Sequence, residues 1–445
     1  IHVAYNELTL PQQLPREFSA GIFTKRTRLL VRRFRVDQEF PPAKLSPIKA
    51  AEALFRDGNV AEARNQFAQI AKGYEGRYEG LAALVGLALC DEAERRYSHA
   101  LRTLARIEAL APAIHHKDLP NLLRRARLRS FFVNAALNNY SEAIAALRLI
   151  AVSGAYVEEG WMWHFPRYLD QMLNNRAYDQ ALGLLQAAVF GHARLRLHDA
   201  IMALRAAPLA ARLDKRVRTL ADAFCSLERY EKVKEIYDAW PTPELAEPFA
   251  KAALAAVRKG ELEEAMALLA FCQGEELGGA GLSRAAVELA QAFAKRGELL
   301  RVATLYEVFP DPALEPVFLA ATRAAADAGT LDDAFTMLEQ TIRNFPDHAN
   351  ALLTDDGAAL HLAEAYLARG QFLKLIDLHS LFGPEHDTRP LAGVFVRAAR
   401  AAIKAGEAAT ALRLLEHCRI SFGVLDPDLA KVASELVKFY DERGD

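Results

Sequence analysis

The sequence predicts an all-α protein, a solenoid of about ten helical hairpins preceded by a short β segment. Three observations carry that expectation. A tight-turn signature between two amphipathic stretches recurs along residues 47–420. Small and large apolar residues stand at fixed offsets from each turn. Apolar and basic residues alternate in the strand period only near the start, in "GIFTKRTRLLVRRFRV".

The first element is that β segment. Residues 1–38 hold three strand-like runs, "IHVAY", "AGIFT" and "RLLVRRFRV". A sheet so small is marginal without further strands, so it is expected to be the end of a β-rich domain. The chain opens on Ile1 rather than Met, which also predicts a piece of a longer product. Residues 39–46, within "DQEFPPAKL" and the Ser that follows, are the expected linker.

Then the hairpins begin. The turn is clearest in "RKGELEEAMALL", "KRGELLRVATLY", "DAGTLDDAFTML", "ARGQFLKLIDLH" and "KAGEAATALRLL". Gly260, Gly297, Gly329, Gly370, Gly406 and the earlier Gly58 end a first helix where a left-handed residue closes the turn. Four further copies put Arg95, Asn138, Arg176 and Glu228 at that point, where a side chain other than Asn is strained. Two residues on stands a packing residue: Val60, Tyr97, Tyr140, Tyr178, Tyr230, Leu262, Leu299, Leu331 or Phe372. Five on, a short apolar residue recurs: Ala63, Ala100, Ala143, Ala181, Val233, Ala265, Val302, Ala334, Leu375 and Ala411. Nine on comes a large one, among them Phe67, Leu104, Tyr237 and Leu338. Seven before the turn, Ala51, Ala88, Ala221, Ala253, Ala290 and Ala363 repeat. Small residues let two antiparallel helices approach, and large ones fill the gap to the next pair. Prolines in "WPTP", "FPDP" and "FPDH" close second helices. A capping helix is expected near 427–442.

The order small–turn–aromatic–small–large resembles the tetratricopeptide repeat (TPR). The spacing departs from it, since successive turns lie 32 to 52 residues apart, so the array reads as TPR-like and degenerate.

The 445 residues are 52% hydrophobic and 25% charged, with net charge −2. That is a globular composition, and no run approaches the ~20 apolar residues of a membrane span. Charge is split along the chain. Residues 1–220 hold 32 Lys and Arg against 21 Asp and Glu, and residues 221–445 hold 23 against 36. The expected division is therefore a basic half, 47–240, and an acidic half with the cap, 241–445. Cys90, Cys225, Cys272 and Cys418 form no metal or disulfide spacing, which fits buried thiols in a reducing, cytoplasmic setting.

No catalytic constellation is present. "ELGGAGLS" (276–283) lacks the strand before it and the Gly-Lys-Ser/Thr ending of a phosphate loop, and reads as a flexible connection. The neighbours His115 and His116 read as a surface turn. No catalytic, cofactor or metal residue is assigned. Two features read as binding surface. "EEGWMWHFPRYLDQM" gathers Trp161, Trp163, His164, Phe165, Arg167 and Tyr168, the residue types of interface anchors, with packing between hairpins as the alternative. The basic set Arg124, Arg125, Arg127, Arg129, Arg212, Lys215, Arg216 and Arg218 could meet an acidic protein or nucleic acid. The wandering spacing and the acidic second half weigh against nucleic acid.

A second resemblance lies at the junction. "GIFTKRTRLLVRRFRV" looks like the closing hairpin of a lectin-like β-sandwich. "SPIKAAEALFRDGNVAEARNQFAQIAKGYEGRYEGLAALVGLAL" (46–89), with Gly76, Arg77, Glu79 and Gly80, is similar to a stretch in the chlamydial D-type and planctomycete-like serine/threonine protein kinases. The resemblance implies a parent with a kinase domain, a β-rich region and this helical tail. The expected function is a non-catalytic scaffold that binds a protein or peptide, without cofactor. A single-stranded nucleic-acid binder using the basic half, or a self-assembling solenoid, are the alternatives.

Overall fold

In a computed structural model, residues 46–152, 164–190, 195–196, 199, 207–354, 356–383, 386–422 and 427–443 are described. The expected β segment at 1–38, most of the linker, Trp161 and Trp163 lie outside them.

The described residues form ten antiparallel hairpins and a terminal helix. The pairs are α1 (Pro47–Arg56) with α2 (Val60–Gly73), α3 (Tyr78–Ala93) with α4 (Tyr97–Leu110), and α5 (Leu119–Ala136) with α6 (Tyr140–Val152). Next come α7 (Phe165–Asn174) with α8 (Tyr178–Ala187), and α9 (Ala207–Ser226) with α10 (Glu231–Ala239). The second half holds α11 (Ala246–Lys259) with α12 (Leu262–Gly274), α13 (Ala280–Lys295) with α14 (Leu299–Val308), and α15 (Glu315–Ala328) with α16 (Leu331–Asn344). The last pairs are α17 (Ala358–Ala368) with α18 (Lys374–Ser380), and α19 (Arg389–Ala405) with α20 (Ala408–Ser421). The cap α21 (Pro427–Arg443) buries Val432 and Leu436 in the last core.

Each hairpin closes by the same device. At the first turn the Asn59 amide bonds the Leu54 carbonyl at 2.9 Å, and the Gly58 amide bonds Phe55 at 3.1 Å. This doubly bonded cap needs a left-handed residue, and all ten positions have positive φ, including Arg95, Asn138, Arg176 and Glu228 at 55–61°. The short apolar residues five after the turn are all fully buried. The small position seven before it is buried too, and Ala399 adds a further alanine there.

Three features depart from expectation. An eleventh cap sits at Glu276 (φ 55°), whose neighbour Leu277 donates to the Cys272 carbonyl at 2.8 Å and is buried. "ELGGAGLS" is thus a closed turn leading into α13 rather than a loose connection. The longest turn-to-turn interval holds a two-residue antiparallel pair, β1 (Val189–Phe190) with β2 (Leu195–Arg196), in an otherwise helical array. The prolines after second helices start 3-10 turns, and the aromatic residue ahead of each (Trp240, Phe309, Phe345) is buried. Trp240 Nε1 donates to Asp214 Oδ1 at 2.7 Å. One core cluster runs from Phe131 to Phe345, so the charge boundary near residue 240 is no break in packing.

Candidate functional site

The first helices of hairpins two to four share a pocket of about 470 Å³, closed at one side by Phe55 of α1. Its lining follows the turn register. Arg129 and Arg167 each lie nine residues before a turn, Leu89 and Phe132 six before, and Ala93 and Ala136 two before. Offsets of three and four fall on one helix face, so the repeat itself stacks like residues along the wall. Glu92, Tyr97, His164 and Tyr168 complete it.

Aromatic rings set the floor. Phe132 stacks on Tyr168 at 5.7 Å between centroids, and Phe131 meets Tyr168 edge-on at 5.1 Å. His164 approaches Phe132 at 6.4 Å, and the Arg129 guanidinium sits 5.5 Å from the centre of the Phe132 ring. Glu92 Oε2 is buried without a hydrogen-bond donor, and Arg129 Nη1 stands off at 3.6 Å. Burial holds the Glu92 carboxyl above the usual carboxylate range, with Arg129 opposing the rise. Burial also pushes the Tyr168 phenol up. Arg167 is exposed and forms no ion pair among the described residues.

The pocket unites members of both sequence-predicted sets and divides each. Of the aromatic group, His164, Arg167 and Tyr168 line it, while Phe165 is fully buried core. Of the basic group only Arg129 reaches it. Arg127 is held by Glu108 at 2.8 and 3.1 Å, Arg216 by Asp170 at 2.6 and 2.7 Å, and Arg218 by Glu244 at 3.1 Å. Arg125 lies 3.9 Å from Glu52, and Arg124 is partly buried beside it on α5. Arg212 and Lys215 are exposed on α9. The basic residues thus point to several hairpins and form no single stripe. Sequence reasoning missed Phe55, Glu92, Tyr97 and Phe132; the turn register, read outward from the core position, contains the last three.

A second groove, about 650 Å³, lies between α13 and α15, lined by Val287, Val317, Ala320 and Ala324 with Gln291 and Lys295 at its edge. His116 stacks on Tyr78 at 3.9 Å and takes no part in either site. Among the described residues no His, Cys, Asp or Glu group could hold a metal, and no helix is long and apolar enough to cross a membrane. All four cysteines are buried.

Gly76, Arg77 and Gly80, part of the kinase-tail likeness, have local work. Gly76 has φ 75°, Arg77 starts α3 in extended form, and a Cβ on Gly80 would strike the Tyr74 carbonyl.

No family model matches the chain, and no curated protein does. Among solved structures it is similar to the P58(IPK) TPR domain, at 13% identity over 89% of this chain and 98% of that one, with a TM-score of 0.21. Yeast Tom70 gives 11% identity, 89% and 95% coverage and 0.23. The APC/C hetero-tetramer Cut9-Hcn1 gives 13% identity, 89% and 84% coverage and 0.24. At such scores the arrays do not superpose as wholes, and the likenesses carry no weight for what this chain binds.

Proposed function

We propose that the chain is a non-catalytic scaffold in the cytoplasm that holds a protein partner along the face formed by the first helices of its hairpins. One observation supports this reading above others: the pocket lined by Phe132, Tyr168 and the register-matched Arg129 and Arg167, built from three successive hairpins. Aromatic and arginine side chains in a concave site are the residues that carry binding energy at protein interfaces. The ion pairs that engage Arg127, Arg216 and Arg218 leave fewer cations for phosphates, so nucleic acid is the weaker alternative.

The test places a photo-crosslinking residue at exposed Ala93 or Ala136, on the pocket rim, and at exposed Leu149 on a second helix. Crosslinks to a defined protein from the first two positions and not the third support the scaffold. Equal labelling from all three, or adducts to nucleic acid alone, overturn it.

The resemblance at 46–89 supports a finer reading, in which this scaffold is the C-terminal partner-binding region of a bacterial serine/threonine kinase, following a β-rich region. ATP-dependent phosphorylation by the whole gene product, absent from residues 1–445 alone, is the expected result. A gene without a kinase domain ends that reading.

A further inference from the structure

We propose that the end of the array at the cap helix is a dimer interface, in which α21 of a second copy of this chain lies in the groove between α20 and α21 and receives the same contact in return. The proposal goes beyond the scaffold reading and does not depend on it.

The groove is the seat of a helix that the described residues do not supply. In the array a second helix lies on its own first helix and on the second helix before it, as α14 does on α13 and α12, and α16 on α15 and α14. The cap α21 packs on α19 and α20 as a further first helix would. Beside it, where a second helix would follow, is a groove of about 360 Å³ floored by Leu415, Leu429 and Leu436. Leu415 stands nine residues after the last turn. The leucines at that offset in earlier hairpins, among them Leu104, Leu269 and Leu338, are buried, and Leu415 is partly open. Terminal units of a repeat array ordinarily turn a polar face outward. Here the groove walls are Leu412, 44% exposed, and Val437, 59% exposed.

Size and charge both fit α21 itself as the occupant. Ala430, Ala433 and Val437, at spacings of three and four, form one exposed ridge of the cap. That ridge is a wall of its own groove and, in a copy, the face that needs covering. In an antiparallel pair of cap helices centred beside Ala433, each Val437 falls opposite Ala430 of the copy, a projecting residue against a small one. Glu416 and Arg419, exposed on the groove edge of α20, form no ion pair among the described residues, and neither do exposed Lys438 and Asp441 on α21. As a further first helix, α21 runs antiparallel to α20, so the copy's α21 runs parallel to α20. Parallel helices meet equally spaced residues in the same order. Glu416 then takes Lys438 of the copy and Arg419 takes its Asp441, since both pairs are three residues apart. A two-fold arrangement makes each contact twice and closes, so both apolar ridges are covered.

Sedimentation velocity on the full chain tests the interface. A monomer–dimer equilibrium at micromolar concentration is expected, with no larger species. Val437→Glu, at an exposed position, should leave a monomer with an unchanged circular dichroism spectrum. Glu416→Lys should weaken the dimer about tenfold, because each ion pair occurs twice, and adding Lys438→Glu should restore it. Ala433→Cys, beside the two-fold axis, should give a disulfide-linked dimer on mild oxidation, the four native thiols being buried. Leu300→Cys, 70% exposed on α14, should not. A monomer throughout, which would leave the groove to a helix of another protein, overturns the proposal. So do species that grow beyond the dimer with concentration, a dimer indifferent to Val437→Glu, no rescue by Lys438→Glu, or equal crosslinking from both introduced cysteines.

Discussion

Replacing Gly86 by alanine tests how α2 and α3 are packed, because two effects of known size oppose each other there. Gly86 lies in the interior of α3, where Ala is normally better than Gly by about 1 kcal/mol. A Cβ built on it would stand 2.5 Å from Phe67 Cδ1 and Cζ, with Cε1 nearer still. Carbon atoms rest about 3.5–4.0 Å apart, so the ring would have to withdraw by about 1 Å. Phe67 has no room for that. It is 2% exposed and enclosed with Ala63, Ile70, Ala83 and Cys90 in the core of the first hairpins. Overpacking of this kind costs roughly 1–3 kcal/mol, which exceeds the helix gain in most of that range. Gly86→Ala should therefore destabilise the first two hairpins by about 1 kcal/mol. Repeat arrays open in units, so the assay is native-state amide exchange, comparing α2 and α3 with α11 to α15. The double variant with Phe67→Leu should show favourable coupling of about 1 kcal/mol, since the shorter side chain frees the space. Slower exchange in α2 and α3 for the single variant, as at an ordinary helical glycine, would refute the close-packing argument.

Three further outcomes are expected. Arg176→Gly, at φ 55° and without an ion pair among the described residues, should stabilise its hairpin by about 0.5–1 kcal/mol in denaturant titration, whereas Gly260→Ala at φ 82° should cost about 1. His379 and His417 lie 4.8 Å apart against Phe395 and Phe422, and burial lowers both pKa values, with His417 adding to the effect on His379. A base with a depressed folded pKa contributes stability above its unfolded pKa of about 6.5 and loses it as pH falls through the folded value; amide protection in α19 and α20, taken relative to the intrinsic exchange rate at each pH, should therefore fall below about pH 6.5, and His417→Phe should flatten the dependence. Burial pushes the Cys272 thiol to about 12 and Cys225 to about 11, so a maleimide at neutral pH should label them only as fast as their helices open; labelling at the rate of a free thiol would contradict their burial.

The hairpins were legible because the turn is a local chemical requirement. A left-handed cap, a small residue five later and a large one nine later are set within one hairpin; every cap has positive φ, every residue five later is fully buried, and the large ones nine later are buried or, at Tyr237, Tyr306 and Leu415, partly buried against the core. Glu276 escaped notice because no packing residue follows it at the usual offset; its cap leads into Gly278 and Gly279 and then directly into α13. The binding surface was half legible. The run "LLRRARLRS" reads as one patch, yet a helix turns 100° per residue, so Arg125, Arg127 and Arg129 reach Glu52, Glu108 and Glu92 on different neighbours. Those acidic partners lie 19 to 73 residues away in the chain, a distance over which no local pattern reports pairing.

The uneven spacing has a functional consequence. A repeat that reads nucleotides one by one must present each base-contacting helix at a constant step. Here the 43-residue interval includes a 3-10 turn at Ala111–Ala113, and the 52-residue interval accommodates the β1–β2 pair. Each insertion changes the offset between successive first helices. The pocket spans the 43-residue interval itself, yet Leu89 and Phe132, Ala93 and Ala136, and Arg129 and Arg167 line it at matching offsets from their turns. Specificity on such a surface must come from one locally ordered stretch rather than a code distributed along the array. A ligand that depended on regular contacts would lose affinity steadily with each hairpin removed. One anchored at this pocket should keep its affinity when hairpins after α10 are deleted, provided the shortened array still folds by circular dichroism.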